Sequence, residues 1–352
     1  MTNEIRSEIG FVGAALPGGG EQTASGGGAA AAGGTAGESG EARRALRLDD
    51  AAALELDRRA ATLLAFGSQL LHGSVGLNAA ERVYARNDIR PVRVPTILLS
   101  VMPHYAAVHD IRVPPAWLAE ALADLAAAGA LADIELVTAG YFASPGQPAA
   151  VADWFAAQPA DARPPLILDP TLGDTELGFY TDPGLVQALR EELVPIAAGI
   201  VPNLFELAHL SGRAIESLTS RAAIEDAARS LMSERTEWIA VTGVRLTAAG
   251  LVDAAGVAGV AGVAGVTETT GHAAGTAGTA APRVCEILVR PTTSSIHAHR
   301  AFDTRAKGLG DTFTAALVAA LLTGQSAEEA ADSGAAEVRA STRALLTPDN
   351  AP

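Results

Sequence analysis

Cysteine is nearly absent from this 352-residue chain, which contains only Cys285. A single cysteine excludes an intramolecular disulfide framework and a cysteine-rich zinc site. Basic residues are also scarce, because 25 Lys and Arg stand against 40 Asp and Glu, giving a formal net charge of −15 at pH 7. Nucleic acids and anionic membranes need clustered Lys and Arg, so we expect neither as a partner.

Long apolar runs are missing as well. The longest candidate, residues 254–266, is a Gly/Ala/Val repeat that is too short to span a membrane. The first ten residues, MTNEIRSEIG, carry acids where a secretory signal carries bases. These features favour a cytoplasmic protein. No GxxxxGK[ST] segment occurs in the chain, which argues against a P-loop NTPase.

Glycine is abundant but unevenly distributed. Of the 36 glycines, twelve lie among the first forty residues and eight in 250–280, which leaves 16 for the rest of the chain. Such Gly/Ala-rich segments bury too little apolar surface to offset the entropy lost on ordering. We therefore predict a largely disordered extension at 1–60, a low-complexity insert at about 250–280 and a tail at 347–352. Residues 61–346 are then long enough for one α/β domain.

Apolar periodicity predicts strands that alternate with helices. The predicted strands lie at 62–67, 95–100, 134–138, 166–168, 199–201, 238–242 and 283–289. The predicted helices lie at 41–60, 114–130, 148–157, 183–194, 204–210, 222–233 and 312–322, and a last one begins at Ser326 with a capping box to Glu329. This alternation is typical of an α/β fold with a mostly parallel central sheet and helices on both faces. Ligands of such sheets bind at the carboxyl ends of the strands.

The segment KGLGD, residues 307–311, precedes an apolar helix. Gly308, Leu309 and Gly310 leave backbone N–H groups free at the positive end of that helix, which favours a bound anion. Asp311, beside such an anion, is placed to accept a hydroxyl proton. An ordinary helix N-terminus explains the same residues without any function.

Acidic residues follow two of the predicted strands. Asp169 and Asp174 come after the strand at 166–168, and Asn203 with Glu206 after the next one. Carboxylates there suit Mg²⁺ or a monovalent cation near nucleotide phosphates. A turn around Asp169 and a capping box from Asn203 to Glu206 are the structural alternatives. Thr242 ends a further strand, where it either contacts phosphate or simply turns the chain.

The N-terminal half supplies hydroxyl and aromatic groups instead of acids. Ser68, His104 and Tyr141 each follow a predicted strand, and they suit a flat heterocycle. A histidine satisfied by its own surroundings is the alternative for His104. The histidines of the chain do not have metal-ligand spacing.

Taken together, these segments resemble the ribokinase superfamily and, within it, the pyridoxal kinase family, especially its bacterial form acting on several B6 vitamers. The stretches that carry the resemblance are GSQLLHGSVG (67–76), VPTILLSVMPHY (94–105), TAGYFASPGQ (138–147), LDPTLGDTELGFY (168–180), GIVPNLFELAHLSGR (199–213), WIAVTG (238–243) and KGLGDTFTAALVAALLTG (307–324). KGLGD and the DP…GD pair are found across the superfamily, whereas GSVG and the PHY turn point to the narrower family.

The resemblance implies a ribokinase-like fold and ATP-dependent phosphorylation of the 5′-hydroxymethyl group of pyridoxal, pyridoxine or pyridoxamine. It also implies Mg²⁺, a monovalent cation (K⁺ or Na⁺) and a homodimer. The site residues it implies are Asp311 as base, Gly308, Leu309 and Gly310 as anion hole, Ser68, Val75, His104 and Tyr141 for the vitamer, Asp169, Asn203, Glu206, Thr242 and Gly308 for ATP, and Asp174, Tyr180 and Glu206 for metal ions.

Four positions depart from the family pattern. Leu309 and Val201 each stand where the family usually has Thr, and Val101–Met102 replaces a usual Asn-Thr pair. These apolar replacements leave two alternatives open beside a B6-vitamer kinase. One is a hydroxymethylpyrimidine kinase of thiamin synthesis, and the other is a weakly active vitamer-binding protein.

Overall fold

The computed structural model describes residues 56, 57, 59–247, 250–252, 283–300 and 306–345, with the backbone alone at 246–252. The predicted tail lies outside these residues, as do almost all of the helix predicted at 41–60 and most of the insert. The chain divides into two compact units, Met1–Arg58 and Arg59–Pro352, and almost nothing of the first unit is described. The domain boundaries therefore stay predictions.

The described strands and helices alternate along most of the second unit. The strands are β1 (Leu63–Leu70), β2 (Pro91–Leu99), β3 (Asp110–Arg112), β4 (Leu136–Ala139), β5 (Leu166–Leu168), β6 (Gly173–Asp174), β7 (Gly178–Phe179), β8 (Gly199–Ile200), β9 (Trp238–Thr247), β10 (Gly250–Val252), β11 (Arg283–Val289) and β12 (Ser294–Arg300). The α-helices are α1 (Leu77–Arg86), α2 (Pro115–Ala127), α3 (Gly146–Ala157), α4 (Leu185–Ala188), α5 (Leu204–Ser211), α6 (Arg221–Arg229), α7 (Leu309–Leu322) and α8 (Ala327–Leu345).

One sheet organises these elements. Its strand order is β12-β11-β9-β8-β5-β4-β1-β2-β3, with β10 paired to β9, and β6 and β7 form a separate two-stranded ribbon. The six strands from β9 to β2 run parallel, whereas β3, β10, β11 and β12 pair antiparallel at the two sides. The parallel strands bring their carboxyl ends to one edge, which is where such sheets bind ligands.

Both faces of the sheet are buried under helices. Alternate residues of β1 show this, since Leu64 and Phe66 belong to one buried cluster, with α2, α3, α5 and α6, while Leu63 and Ala65 belong to another, with α1, α7 and α8. Side chains of a strand point alternately to the two faces, so a strand buried on both sides is apolar throughout. The predicted α/β architecture, with a mostly parallel sheet between helices, is confirmed.

The element boundaries follow the sequence pattern closely in some places and not in others. β5 and β11 have the predicted bounds, whereas α7 begins three residues before the predicted start. The helix predicted at 183–194 is confirmed in part: the chain is helical from Leu185 to Ile196, but α4 ends at Ala188, and a π-helical turn (Leu189–Leu193) and a 3₁₀ turn (Val194–Ile196) follow. Pro195 lacks an N–H, so the α-helical bond pattern cannot continue through it. Of the described helices, none is both long and apolar enough to cross a lipid bilayer.

Candidate active site

A cavity of about 260 Å³ opens at the carboxyl edge of the sheet, beside the first turn of α7. Predicted site residues from four separate segments line it: Asp169 after β5, Asn203 and Glu206 at the start of α5, Thr242 in β9, and Gly308 to Asp311. A second, smaller cavity of about 30 Å³ lies behind Asp311 and Asp169 and reaches Tyr141. The structure thus brings most of the predicted residues together.

Gly308 fixes how the chain enters α7. Its backbone is left-handed, with φ +85°, and an added Cβ would lie 2.1 Å from the carbonyl oxygen of Ser74. Only glycine is tolerated in such a conformation at such a close approach. The first intrahelical bond runs from the N–H of Thr312 to the carbonyl of Gly308 at 2.9 Å. The N–H groups of Leu309 and Gly310 therefore precede the helical bonds and point toward the cavity end of the helix.

Asp311 lies in the first turn of α7, where both cavities meet. Burial raises the pKa of its carboxyl group above the ordinary value, while hydrogen bonds from the N–H of Gly76 and from its own N–H oppose that shift. A carboxylate with a raised pKa is a better proton acceptor than an exposed one. The geometry suits a general base at the end of an anion site.

Asp169 lies next to Asp311 and is oriented by two hydroxyl groups. Thr314 donates to one carboxylate oxygen at 2.7 Å, and Thr171 donates to the other at 3.4 Å. Burial first, and then the charge of Asp311, raise the pKa of Asp169 to about 7. Thr314 was not singled out from the sequence. Its spacing of three residues from Asp311 on a helix was the available signal.

Glu206 and Asn203 form the capping box that the sequence analysis offered as the structural alternative. Glu206 accepts the N–H of Asn203 at 2.8 Å and that of Leu172 at 3.1 Å, and Asn203 accepts the N–H of Glu206 at 3.0 Å. Burial, followed by the charge of Asp169, raises the pKa of Glu206 well above its ordinary value. The side-chain amide of Asn203 also donates to the carbonyl of Gly173 at 2.9 Å. The box therefore holds the turn after β5 against the start of α5.

Asp174 and Lys307 form an ion pair across the large cavity. The Lys307 ammonium lies 3.3 Å from Asp174 Oδ2, while Asp174 Oδ1 accepts the N–H groups of Glu176 and Leu177. Tyr180 lies at the rim of the same cavity with 43% of its surface exposed. The pair links the segment before α7 to the β6–β7 ribbon.

The predicted vitamer residues divide into two groups. Ser68 is buried, and Val75 and Tyr141 pack against one small apolar cluster, next to Gly308 and the smaller cavity. His104 instead lies on the exposed turn after β2, where its ring stacks on Tyr105 at a centroid distance of 4.9 Å. Within the described residues, His104 makes no hydrogen bond or ring contact with Ser68, Val75 or Tyr141.

Two buried polar residues that position this side of the site escaped the sequence analysis. Gln147, at the start of α3, accepts the N–H of Ala143 and donates to the carbonyls of Thr96 and Val113, at 2.7, 2.8 and 2.7 Å. Thr96 donates its hydroxyl proton to the carbonyl of Tyr141 at 2.6 Å. Gln147 lies 51 residues from Thr96 and 34 residues from Val113 in the sequence, so a local sequence pattern does not reveal these hydrogen bonds.

Comparison with known proteins agrees with this geometry. The family model described as phosphomethylpyrimidine kinase matches residues 97–350. Pyridoxine/pyridoxal/pyridoxamine kinase of Bordetella bronchiseptica is 36% identical over 77% of this chain and 84% of its own length. The corresponding kinase of Bordetella avium is 33% identical over 79% and 81%.

Solved structures share the fold at lower identity. Pyridoxal kinase from Entamoeba histolytica superposes with a TM-score of 0.65 at 19% identity, covering 82% of this chain and 91% of that one. An ADP complex of Bacillus subtilis pyridoxal kinase gives a TM-score of 0.58 at 19% identity, covering 78% and 88%. With the sequence relatives spanning most of both chains and the fold shared with solved kinases, the chain belongs to the pyridoxal kinase family of ribokinase-like proteins.

Proposed function

We propose that the protein transfers the γ-phosphoryl group of ATP to the 5′-hydroxymethyl group of a B6 vitamer. The observation that carries the proposal is Asp311, half-buried in the first turn of α7 and closely following the close-packed Gly308. One helix end then supplies both the amides that hold a phosphoryl group and the carboxylate that faces the attacking hydroxyl. The two Bordetella relatives are named as kinases of pyridoxine, pyridoxal and pyridoxamine.

The proposed step is an in-line displacement. The 5′ oxygen forms a bond to the γ-phosphorus, the bond from that phosphorus to the β–γ bridging oxygen breaks, and ADP leaves. Asp311 accepts the proton of the hydroxyl group. The N–H groups of Leu309 and Gly310 stabilise the charge on the transferring phosphoryl group, and most of the rate enhancement comes from positioning and charge stabilisation. Because these donors are backbone groups, Leu309 in place of the usual Thr leaves them intact.

The other predicted residues take roles at either end of the reacting atoms. Asp169, Asn203, Glu206 and Thr242 line the large cavity on the nucleotide side. Ser68, Val75 and Tyr141 surround the vitamer side. His104 reaches the vitamer only if its exposed turn folds over the bound ring, so its role depends on that movement.

Magnesium fits this donor set when it enters with the nucleotide. The described residues include no group of three or more His, Cys, Asp or Glu side chains arranged around one ion. Mg²⁺ in kinases usually takes one or two carboxylates together with phosphate oxygens and waters. Glu206 and Asp174, with Tyr180 at the rim, would hold the hydrated ion, which neutralises charge on the phosphates. A K⁺ or Na⁺ ion near Asp174 stays a prediction, since Lys307 already pairs with that carboxylate.

The test is a vitamer-panel kinase assay with ATP, Mg²⁺ and K⁺, read by formation of the 5′-phosphate. We expect turnover by the unaltered protein. Asp311→Asn should lower kcat by roughly 10²–10⁴-fold because the proton acceptor is lost, with the circular dichroism spectrum unchanged. Asp124→Asn, on the exposed face of α2, is the matched control and should keep full activity. Absence of phosphorylated vitamer from the unaltered protein would contradict the proposal.

A hydroxymethylpyrimidine kinase is the second candidate, because the matching family model carries the name phosphomethylpyrimidine kinase. Including hydroxymethylpyrimidine in the panel separates the two. A higher kcat/KM for the pyrimidine than for pyridoxal would establish this second candidate. We also propose a homodimer in the cytoplasm, for which the family resemblance is the support, and sedimentation of the purified protein tests the dimer.

A further inference from the structure

Lys307 is the single lysine of the chain, since all the other residues counted among its 25 Lys and Arg are arginines. It directly precedes Gly308 at the entrance to α7, and it lines the large cavity with its side chain 41% exposed. Consecutive Cα atoms are about 3.8 Å apart, so this lysine begins one residue before the loop that carries the amides of Leu309 and Gly310. The one lysine of the protein therefore lies beside the proposed phosphoryl site.

The large cavity is strongly acidic. Among the described residues that line it, Lys307 is the one cationic side chain, and the four carboxylates are those of Asp169, Asp174, Glu206 and Asp311. A triphosphate adds several negative charges, of which one Mg²⁺ ion neutralises only a part. Like charges repel strongly where water is partly excluded. The phosphate groups therefore need a cation from the protein, and Lys307 is placed to supply it.

Without nucleotide, the ammonium group of Lys307 is held by Asp174. Lys307 Nζ lies 3.3 Å from Asp174 Oδ2, while Asp174 Oδ1 accepts the N–H groups of Glu176 at 3.0 Å and Leu177 at 2.7 Å. Those two backbone bonds fix the carboxylate on the turn between β6 and β7, so the lysine is the partner that can move. An ion pair between partly exposed side chains is weak, and a phosphate oxygen can take the place of the carboxylate.

A lysine suits such a change of partner better than an arginine does. Its ammonium group is a compact charge with three rotatable donors at the end of a flexible four-carbon stem. A guanidinium group pairs with a carboxylate through two parallel hydrogen bonds of fixed geometry, as Arg290 pairs with Glu328 at 2.8 and 2.9 Å. An arginine at position 307 would therefore be harder to release from Asp174.

We propose that Lys307 exchanges Asp174 for the γ-phosphate when MgATP binds, and that it is thereby the phosphate-binding cation of the site. The ammonium group then donates to an oxygen of the phosphoryl group that the amides of Leu309 and Gly310 also hold. The released oxygen of Asp174 becomes available to the hydrated Mg²⁺ ion. This role rests on the proposed function and deepens it by adding a residue that binds the nucleotide.

Calorimetry on the full-length protein tests the contact with phosphate by measuring the binding of ATP, ADP and adenosine. With Mg²⁺ present, we expect Lys307→Met to weaken ATP binding roughly 10- to 100-fold, because a hydrogen bond between charged groups is lost. ADP binding should weaken less, and adenosine, which has no phosphate, should bind equally to both proteins. Arg213→Met, which removes a cation from the exposed chain after α5, should leave all three affinities unchanged.

A titration with Mg²⁺ alone tests the exchange of partners. Asp174 loses its counter-ion in Lys307→Met, so we expect this variant to bind Mg²⁺ several-fold more tightly than the unaltered protein does. Lys307→Arg keeps a positive charge beside Asp174 and should not show that gain.

Three results would overturn the role of Lys307. Unchanged ATP binding in Lys307→Met would show that the lysine does not reach the phosphates, and equal losses of ATP and adenosine binding would show that it only supports the shape of the cavity. Unchanged Mg²⁺ binding in the same variant would contradict the exchange. None of these measurements contains a vitamer, so an unaltered protein that binds ATP but phosphorylates no vitamer contradicts the proposed function alone. Failure of the unaltered protein to bind ATP overturns both.

Discussion

Gly308 and Gly310 are separated by one residue, yet a side chain would meet very different surroundings at the two positions. At Gly308 an added Cβ would collide with the carbonyl of Ser74, and φ is +85°. At Gly310 an added Cβ would meet no described atom within 4 Å beyond its chain neighbours and the backbone of its own helix, and φ is not positive. Both glycines belong to the KGLGD segment, so the motif alone does not distinguish the residue required by packing from the one that only leaves space for a phosphoryl group.

Gly308→Ala should therefore destabilise the protein by about 1–3 kcal/mol and abolish most kinase activity, because the loop must leave Ser74 and carry the helix end with it. Gly310→Ala is the matched control. Within the first turn of α7, alanine there should leave the free energy of unfolding unchanged or raise it by up to about 1 kcal/mol. Urea unfolding of both variants checks the prediction. Equal losses of stability would show that the contact with Ser74 does not matter.

At the scale of single elements, α3 is held by the hydrogen bonds of one side chain in addition to its apolar packing against the sheet. Gln147, completely buried, joins α3 to the backbone of three segments around Thr96, Val113 and Ala143. Ala143 belongs to the small buried cluster against which Val75 and Tyr141 pack, and Thr96 holds Tyr141 through its carbonyl. The positions of Val75 and Tyr141 thus depend on a polar network as well as on apolar packing.

Gln147→Leu keeps the side-chain size but leaves three backbone groups buried without partners. We expect a loss of about 2–4 kcal/mol in the free energy of unfolding and a higher KM for the vitamer, with the KM for ATP little changed. The exposed Gln187→Leu, which removes only a bond to Glu191 at the surface, serves as the comparison. Denaturant unfolding and steady-state kinetics measure both effects. A similar rise in both KM values would show that Gln147 supports the whole fold and does not specifically position the vitamer side of the site.

The elements also show where sequence reasoning succeeds. β5 and β11 are short apolar runs between turn residues, and their bounds follow from composition alone. β12, SSIHAHR, was missed because it lies at the side of the sheet, half-buried and polar, so it lacks an apolar run. The acidic strand ends were located correctly because parallel strands share one edge. The Gln147 network and the exposure of His104 depend on contacts between distant segments, which periodicity does not record.

For the whole molecule, the active site concentrates three carboxylates that are poorly exposed to water, since Glu206 is buried and Asp169 and Asp311 are half-buried. Asp169, Asp311 and Glu206 all have pKa values raised first by burial, in a chain whose formal charge is already −15. Each carboxylate is therefore easier to ionise in the unfolded chain than in the folded one. Such groups lower the stability of the folded state wherever they are ionised, and binding of a cationic ligand or Mg²⁺ offsets that loss.

The consequence is an inverted pH dependence of stability in the metal-free protein. The folded pKa of Asp169, about 7, lies above its ordinary value of 3.8, so between these values the folded state binds more protons than the unfolded state. Stability therefore falls as pH rises from about 4 to about 7, and the loss is complete above pH 7. Asp169 alone should make the protein about 2–3 kcal/mol more stable at pH 5 than at pH 8.

Urea unfolding with a chelator present, at pH 5 and pH 8, measures this difference directly. Asp169→Asn keeps the acceptor for Thr314 but removes the titration, so the variant should lose about 2–3 kcal/mol of the extra stability at pH 5, and Asp311 and Glu206 keep their share. Asp124→Asn, at an exposed position, should keep it. Adding MgATP at pH 8 should recover part of the lost stability. The Mg²⁺ ion bound to the nucleotide then offsets the negative charge of these carboxylates, as protonation does at low pH. Identical pH dependence of stability in the unaltered protein and in Asp169→Asn would contradict a raised pKa of Asp169 in the folded protein.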